Sequence, residues 1–321
     1  MTRAVFRVVF AGPHVSVQDN GRPRLMRYGV PASGPMDRKA FAIANAVLGN
    51  DPGAAGLEVS QAGLVLECLS GTVTVAIAGG GFIVERNREK LGAWNIFTVE
   101  AGQTIKVRTG QWGCWSYLAF AGTVQVESWL GSSATHGPSG LGAGRLTTGQ
   151  TITISDTHIY AHRLGAIPCP VWARPRNMMH CVLGPQDRFF PKNALAEFTS
   201  AQFHLTDAYD RMGMRLHGPA LHSISALSIP SEPILRGSVQ ISGDGVATIL
   251  LADHQTTGGY PKIATILSDD VDGLVQGRPH DAIRFKSITA HDAVALARNR
   301  ARMFTDYLRH IAKSYAKAAG G

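Results

Sequence analysis

The sequence predicts a mostly β protein with few helices. Short apolar runs recur along most of the chain and are separated by turn residues, which is the pattern of strands joined by tight connections. The 36 glycines also favour short strands and many turns over a helical bundle. The length of 321 residues exceeds the usual size of a single hydrophobic core, so we expect two domains. Their predicted bounds are 1–160 and 178–321, because the periodicity lapses between them, where prolines cluster.

The first domain begins with two strand patterns, Ala4–Phe10 and His14–Gln18, followed by a long Gly- and Pro-rich segment. We predict a helix over 36–49, because Pro35 suits a first helical turn and Asp37 is favourable near the positive end of the helix dipole. Further strands are spaced as in a closed or nearly closed β-barrel. They are expected at Leu64–Cys68, Val73–Ala78, Ile83–Val84, Ile96–Val99, Thr104–Val107, Trp115–Ala121 and Thr151–Ile154.

The second domain is predicted to contain another set of strands and a C-terminal helix. The helix begins at Thr289, whose hydroxyl forms a capping-box pattern with Asp292. Apolar residues at three-four spacing predict that this helix docks on the protein and leaves a basic face in solvent. The strands are expected at Met178–Val182, Phe198–Leu205, Met214–His217, Val239–Ile241, Ala247–Leu251, Ile263–Leu267 and Ala282–Lys286.

Charge and cysteine content narrow the classes of function. The formal net charge of +8 is spread along the chain, and no basic run is interleaved with aromatic residues, so we expect no nucleic-acid partner. No apolar run reaches the length of a membrane span and the N-terminus lacks a signal-peptide pattern, so we expect a cytoplasmic protein that does not bind membranes. The four cysteines form no CxxC pair and have no His or Asp at metal-ligand spacing, which predicts buried thiols and no metal.

The segment Leu250–Ile266, LLADHQTTGGYPKIATI, holds the densest group of chemically useful side chains. Within it, Gly258 and Gly259 are expected to allow positive φ and to expose backbone N–H groups. Polar groups at this density are costly to bury unless they bind each other or a ligand. The segment is therefore either a ligand site or a hairpin whose polar groups satisfy one another. Its polar side chains are Asp253, His254, Gln255, Thr256, Thr257, Tyr260 and Lys262.

Lys262 is the main catalytic candidate, because an ammonium held at the end of a loop can stabilise an anionic oxygen or a transferring phosphoryl group. The alternative is a solvated hairpin lysine. Tyr260 is predicted to donate to the same oxygen. His254 and Asp253 can form a base with its orienting carboxylate, but neighbouring residues on a strand point to opposite faces, so a structural Asp253 is an equal expectation.

The segment DHQTTGGYPKIAT resembles the signature of the C subunit of bacterial ATP-dependent 5-oxoprolinase. This family is also described as allophanate hydrolase subunit 2, as biotin-dependent carboxyltransferase, and as a KipA-like antagonist of a sporulation-kinase inhibitor. Three further segments resemble the family in the same order along the chain, namely Val17–Pro23 (VQDNGRP), Gly29–Arg38 (GVPASGPMDR) and Tyr209–Pro219 (YDRMGMRLHGP). The resemblance implies cyclophilin-like β-barrel architecture in both domains.

The resemblance implies an enzyme subunit that opens the lactam of 5-oxoproline to glutamate with ATP, acting with a separate A subunit and a KipI-like B subunit. One alternative is carboxyl transfer from biotin to a urea- or amide-like acceptor, and another is a non-catalytic regulator that binds a kinase-inhibitor-like partner. The sequence has no P-loop and no Met-Lys-Met biotin-attachment motif. We therefore expect ATP to be used by the assembled complex, and biotin, if used, to arrive on a partner protein.

The matching segments also supply the predicted substrate-binding residues. In one respect the chain departs from the family pattern, because Ala78–Gly81 has no carboxylate where the family has Thr-Gly-Ala-Asp. That departure allows for a different ligand. The predicted substrate-binding residues are Gln255, Thr256, Thr257, Gly258 and Gly259 in the central segment, Gln18, Asp19, Ser33 and Asp37 near the N-terminus, and Asp210 and Arg211 in the middle of the chain.

Overall fold

Strands make up most of the regular structure, and this confirms the prediction of a mostly β fold. The computed structural model describes residues 2–224 and 228–317. The described chain divides into two units. Unit 1 comprises the described residues up to Arg22, the range Ser33–Arg174, and the described residues from Phe304 onward. Unit 2 comprises Pro23–Ala32 and the described part of Pro175–Met303.

Unit 1 contains two antiparallel sheets and one helix, α1, at Arg38–Ala46. Its strands are β1 Arg3–Ala11, β2 Ser16–Gln18, β3 Gly56–Ser60, β4 Leu64–Ser70, β5 Thr72–Ala78, β6 Ile83–Arg86, β7 Glu89–Leu91, β8 Asn95–Glu100, β9 Thr104–Arg108, β10 Trp115–Phe120, β11 Thr123–Gln125, β12 Thr151–Ser155 and β13 Gly165–Ala166. The first sheet has the order β11-β12-β1-β4-β9-β6-β7, and the second has the order β13-β8-β5-β10-β3-β2.

The core of unit 1 lies on both faces of the second sheet. Every residue of β10 is buried, because α1 covers one face of this strand and the first sheet covers the other. On the α1 face, Phe41 meets Tyr117 edge-on with ring centroids 5.6 Å apart. On the opposite face, Phe6 of β1 lies 5.4 Å from Phe120.

Unit 2 is built on a closed seven-stranded barrel with the order β14-β21-β18-β19-β16-β15-β22, and a two-stranded sheet pairs β17 with β20. Neighbouring barrel strands are antiparallel except β14 and β22, which are parallel. The strands are β14 Met178–Leu183, β15 Phe203–Tyr209, β16 Gly213–His217, β17 Glu232–Pro233, β18 Ser238–Ile241, β19 Ala247–Leu250, β20 Thr257–Gly258, β21 Lys262–Ile266 and β22 Ala282–Ser287. The helices are α2 Lys192–Ser200, α3 Ser268–Leu274 and α4 Ala290–Lys317, the last of which continues into unit 1.

One predicted strand of unit 2 is wrong in its first part. The strand expected at Phe198–Leu205 is the end of α2 followed by β15. Phe198 lies on the buried face of α2 with Ala194, four residues earlier, and stacks on Phe285 with ring centroids 4.3 Å apart. A helical spacing of buried residues, here too short to stand out in the sequence, therefore decides the structure of this stretch.

The predicted helices are present with shorter or equal bounds. Helix α1 occupies the middle of the predicted range 36–49, and Asp37 is its N-cap, since its carboxylate accepts a hydrogen bond from the Ala40 N–H at 3.0 Å. Helix α4 begins after Thr289, whose hydroxyl accepts the Asp292 N–H at 3.1 Å and donates to the Asp292 carboxylate at 2.7 Å. The predicted start of the C-terminal helix is thus confirmed.

A buried carboxylate ties α3 and α4 to the barrel. Asp270 of α3 is fully buried. Its oxygens meet Arg300 of α4 at 2.9 Å, the Nδ1 of His180 at 2.9 Å, and the guanidinium of Arg176. Burial alone raises the pKa of Asp270, but Arg300, the hydrogen bonds from His180 and Arg176 outweigh it, so the net pKa is lowered.

Candidate functional site on the barrel of unit 2

The segment predicted to be functional crosses one end of the barrel. Strand β19 ends at Leu250, and the chain re-enters the barrel at Lys262, the first residue of β21. These two strands do not pair with each other, because each pairs with a different edge of β18, which lies between them. The segment is therefore a crossover connection and not a hairpin.

Asp253 and His254 lie in the turn that follows β19, so the alternation of side chains along a strand does not apply to them. Asp253 forms a two-point ion pair with Arg211, with Nε to Oδ2 at 2.9 Å and Nη2 to Oδ1 at 2.8 Å, and both side chains are buried. The Asp253 N–H also donates to the Arg211 carbonyl at 2.8 Å. Both carboxylate oxygens of Asp253 thus fasten the crossover to the turn between β15 and β16.

The residues beside this ion pair are also held by backbone groups. Asp210 accepts hydrogen bonds from the N–H groups of Met212 at 2.7 Å and Gly213 at 3.1 Å, which closes the turn between β15 and β16. The ring of His254 is buried, and its Nδ1 lies 2.5 Å from the Gln255 carbonyl oxygen. An imidazole held in this way has a defined tautomer and orientation, because the carbonyl oxygen can only accept.

Lys262 is not a solvated hairpin lysine, since its side chain is only 3% exposed. Its Nζ forms an ion pair with Glu232 of β17, whose side chain is 38% exposed. The Nε2 of Gln186 donates to the same carboxylate, and the Oε1 of Gln186 accepts the Lys262 backbone N–H at 3.0 Å. The hydrogen bond from Lys262 is the main cause that lowers the pKa of Glu232. The pair is therefore charged on both sides near neutral pH.

Neither Gly258 nor Gly259 adopts the positive φ that we expected. Both are needed for close approach instead. A Cβ on Gly258 would lie 2.7 Å from the Nε2 of Gln240, and a Cβ on Gly259 would lie 3.0 Å from the carbonyl oxygen of Ile229. The glycine pair lets the crossover run against these neighbours.

A cavity of about 550 Å³ opens beside the crossover. This volume is in the range of small-molecule sites. The cavity brings together three of the predicted site residues, Asp210, Gln255 and Tyr260, and it adds Gln240 of β18, which pairs in register with Lys262. Its lining residues are Asp207, Ala208, Tyr209, Asp210, Met212, Gly213, Arg215, Gln240, Ser242, Thr248, Leu250, Gln255 and Tyr260.

The two threonines of the crossover belong to its outer part. Thr257 is exposed in β20 and pairs with Pro233. Thr256 is half-buried, and its carbonyl oxygen accepts the N–H of Ile234 at 3.3 Å. These contacts fasten the crossover to β17 and hence to the strand that supplies Glu232.

The predicted residues near the N-terminus belong to unit 1. Asp19 accepts hydrogen bonds from the Ser132 hydroxyl at 2.5 Å and the Ser133 N–H at 2.6 Å. Gln18 is fully buried, and its Nε2 donates to the Ser16 hydroxyl at 2.9 Å. Ser33 adopts a φ of 55°, a conformation that is uncommon for a residue with a side chain.

Asp37 lies in a buried acidic group of unit 1 that the sequence did not reveal. The Asp37 N–H donates to the Tyr117 hydroxyl at 2.6 Å, and the Met36 N–H donates to Glu58 at 2.7 Å. Burial raises the pKa of Tyr117 well above its ordinary value, and the neighbouring charges of Glu58 and Asp37 raise it further. Tyr117 therefore stays protonated.

Sequence reasoning missed Glu232, Gln186 and Gln240, the neighbours of Lys262. Glu232 and Gln186 lie 30 and 76 residues from Lys262 along the chain. No local pattern marks them, because only barrel closure brings them to the crossover.

Two classes of site are not seen in residues 2–224 and 228–317. These residues contain no group of three or more His, Cys, Asp or Glu side chains that can hold a metal ion. None of the helices in the same ranges is long and apolar enough to cross a membrane.

Comparisons with known proteins show two groups of relatives. A family model described as the carboxyltransferase domain, subdomain A and B, matches residues 28–287. The C subunit of 5-oxoprolinase from Escherichia coli (strain K12) is 30% identical over 94% of this chain and 96% of its own length. The protein of the same name from Haemophilus influenzae is 29% identical over 92% and 95%. The urea amidolyase of Lachancea kluyveri is 26% identical over 88% of this chain but only 17% of its own length.

Solved structures have the same fold. TTHA0988 superposes with a TM-score of 0.79 at 31% identity over 88% of this chain, which spans just over half (55%) of the TTHA0988 chain. The urea carboxylase of Kluyveromyces lactis superposes with a TM-score of 0.82 at 24% identity, over 96% of this chain and 29% of that one.

Proposed function

The chain belongs to the carboxyltransferase domain A and B family, and from that premise we propose that it is the C-type subunit of an ATP-dependent 5-oxoprolinase. The observation behind the proposal is correspondence of length. The relatives named as the C subunit of 5-oxoprolinase match over 95% and 96% of their own length. The urea amidolyase contains a matching region in only 17% of its length. A stand-alone chain of this size therefore corresponds to a separate subunit.

In the proposed reaction, water opens the lactam C–N bond of 5-oxoproline to a carboxylate and an amine, and hydrolysis of ATP to ADP and phosphate drives the step. Negative charge develops on the lactam oxygen whichever subunit delivers the phosphoryl group. The groups of this chain suited to that oxygen lie around the crossover, where Tyr260 and Gln255 line the cavity and Lys262 lies on the strand next to it.

We assign Lys262 the role of stabilising this charge. In the structure its ammonium is held by Glu232, a carboxylate that is partly exposed and so can be solvated without it. An oxygen that gains charge beside the pair would compete with Glu232 for the ammonium. Tyr260, at 48% exposure, is accessible as a second donor. The buried Asp253–Arg211 pair would act by holding the crossover in place and not by touching the substrate.

The proposal is tested by reconstitution. The chain is mixed with separately purified homologues of the A subunit and the KipI-like B subunit, and release of ADP and glutamate is measured with and without 5-oxoproline. We expect turnover from the mixture and none from this chain alone, since the sequence has no P-loop. Turnover by the chain alone, or failure of the complete mixture to consume 5-oxoproline, would contradict the proposal.

A second candidate is carboxyl transfer, which is favoured by the family description and by the relative named urea amidolyase. Biotin on a partner protein would supply the carboxyl group. The cavity fits a ureido ring as well as a lactam, because the Gln240 amide can donate to either carbonyl oxygen. The same reconstitution distinguishes the two candidates when a biotin carboxylase, a biotin carrier, bicarbonate and urea replace the A and B subunits and 5-oxoproline.

A further inference from the structure

The cavity of unit 2 is lined by a buried amide whose donor is not used within the described part of the chain. Gln240 is only 7% exposed, and its Nε2 atom is buried without a hydrogen-bond partner among residues 2–224 and 228–317. Most buried amide groups in proteins are paired, because an unpaired donor loses its hydration and gains nothing in return. The residue lines a space large enough for a small molecule. This combination indicates a group that is completed by a ligand.

We propose that Gln240 is the specificity residue of this cavity, and that its Nε2 donates a hydrogen bond to the carbonyl oxygen of a small cyclic amide. The naming of 5-oxoproline as one such ligand rests on the proposed function, but the site itself rests on the cavity alone. An amide N–H requires an acceptor, and a carbonyl oxygen is the acceptor shared by a lactam and a cyclic urea.

The charged groups around the cavity are compensated within the protein. Asp210 accepts two backbone N–H groups. Arg215 pairs with Asp244 at 2.6 Å. A cavity whose charges are balanced in this way suits a polar but uncharged ring. The Arg215 fork, which is half exposed, has more N–H donors than Asp244 uses, so it can also receive a carboxylate attached to the ring.

Gly258 fixes where the Gln240 amide lies. Because a Cβ at Gly258 would come within 2.7 Å of Nε2, any larger residue there must push the end of the Gln240 side chain away. The side chain is flexible, so the fold can tolerate the change while the donor moves. Gly258→Ala therefore displaces the donor without altering its chemistry.

The experiment measures binding of three small molecules to the full chain by calorimetry. They are 5-oxoproline, 2-imidazolidone as a cyclic urea, and proline, which keeps the ring and the carboxylate but lacks the ring carbonyl. The wild type should bind at least one of the two cyclic carbonyl compounds more tightly than proline. Gln240→Leu should weaken that binding by roughly three- to tenfold, the effect of one neutral hydrogen bond, and leave proline unchanged. Gly258→Ala should have the same effect.

The matched control is Gln202→Leu, the same substitution at an exposed position of unit 2 outside the cavity. It should bind all three compounds like the wild type, and equal thermal midpoints of the variants show that each is folded. Preference for 5-oxoproline over 2-imidazolidone identifies a lactam site, and the reverse identifies a ureido site. The proposal is overturned if the wild type binds neither carbonyl compound, or if Gln240→Leu binds them unchanged, in which case only water fills the cavity.

The failure of this inference can be distinguished from failure of the proposed function. If the reconstituted complex consumes 5-oxoproline and Gln240→Leu leaves its KM unchanged, the assignment of the chain to a 5-oxoprolinase stands and the role of Gln240 is wrong. If the chain binds a cyclic carbonyl through Gln240 but no mixture of subunits turns it over, the site stands and the 5-oxoprolinase assignment fails.

Discussion

Glu232→Gln should destabilise the protein more than Lys262→Met, although both substitutions break the same ion pair. The reason is the unequal burial of the two partners, since the Lys262 side chain is 3% exposed and that of Glu232 is 38% exposed. Glu232→Gln leaves a buried ammonium without a counter-charge, and such a change costs about 3 kcal/mol. Lys262→Met leaves a carboxylate that water can solvate and puts an apolar side chain in a buried position, so we expect a loss of about 1 kcal/mol or less.

The free energy of unfolding of each variant is measured by urea denaturation, with unchanged slopes required for the comparison. The double variant should resemble Lys262→Met, because without the ammonium the charge of residue 232 has little to act on. Equal losses in the two single variants, or a larger loss in Lys262→Met, would refute the argument from burial.

Turnover of the reconstituted complex completes the comparison. Lys262→Met should lower turnover by roughly a hundredfold or more, the effect of removing one donor to a developing oxyanion. Lys262→Arg should restore only part of it, since a planar guanidinium does not replace a compact ammonium. Turnover close to that of the wild type in Lys262→Met, in a variant shown to be folded, would eliminate the catalytic role.

Three further predictions concern the stability of single variants. Since the pKa of Glu232 is lowered in the folded state, its contribution to stability is present above the ordinary carboxyl pKa and is lost as pH falls through the lowered value; urea denaturation across acidic pH should show wild type and Glu232→Gln converging there, and a constant difference would contradict this. Asp270→Asn should cost about 3 kcal/mol, because it removes the charge that Arg176 and Arg300 share, whereas its control Asp306→Asn, in an exposed pair with Arg309 on α4, should cost less than about 0.5 kcal/mol in the same assay. Thr289→Ala should cost about 1 kcal/mol by removing the α4 cap, and an unchanged urea midpoint would show that this helix end is not limiting.

Local patterns in the sequence were enough to predict most of the secondary structure. Alternating and continuous apolar runs mark β4, β5, β9 and β21 to within about two residues, because a strand buries its residues with a period that the chain itself displays. The caps of α1 and α4 are equally local, since Asp37 and Thr289 bond to N–H groups three residues ahead. The sequence also revealed the family, through short segments with unusual combinations of residues.

Only the tertiary structure decided which partners those residues have. The sequence places Lys262 at the end of a loop, but its burial and its pairing with Glu232 depend on closure of the barrel around β18. Gln240 reads as an ordinary strand residue, and the unused donor of its amide is a property of the cavity. Hydrogen bonds and ion pairs act over a few ångströms in space, whereas sequence patterns report only neighbours along the chain, so contacts between residues far apart in sequence had to come from the fold.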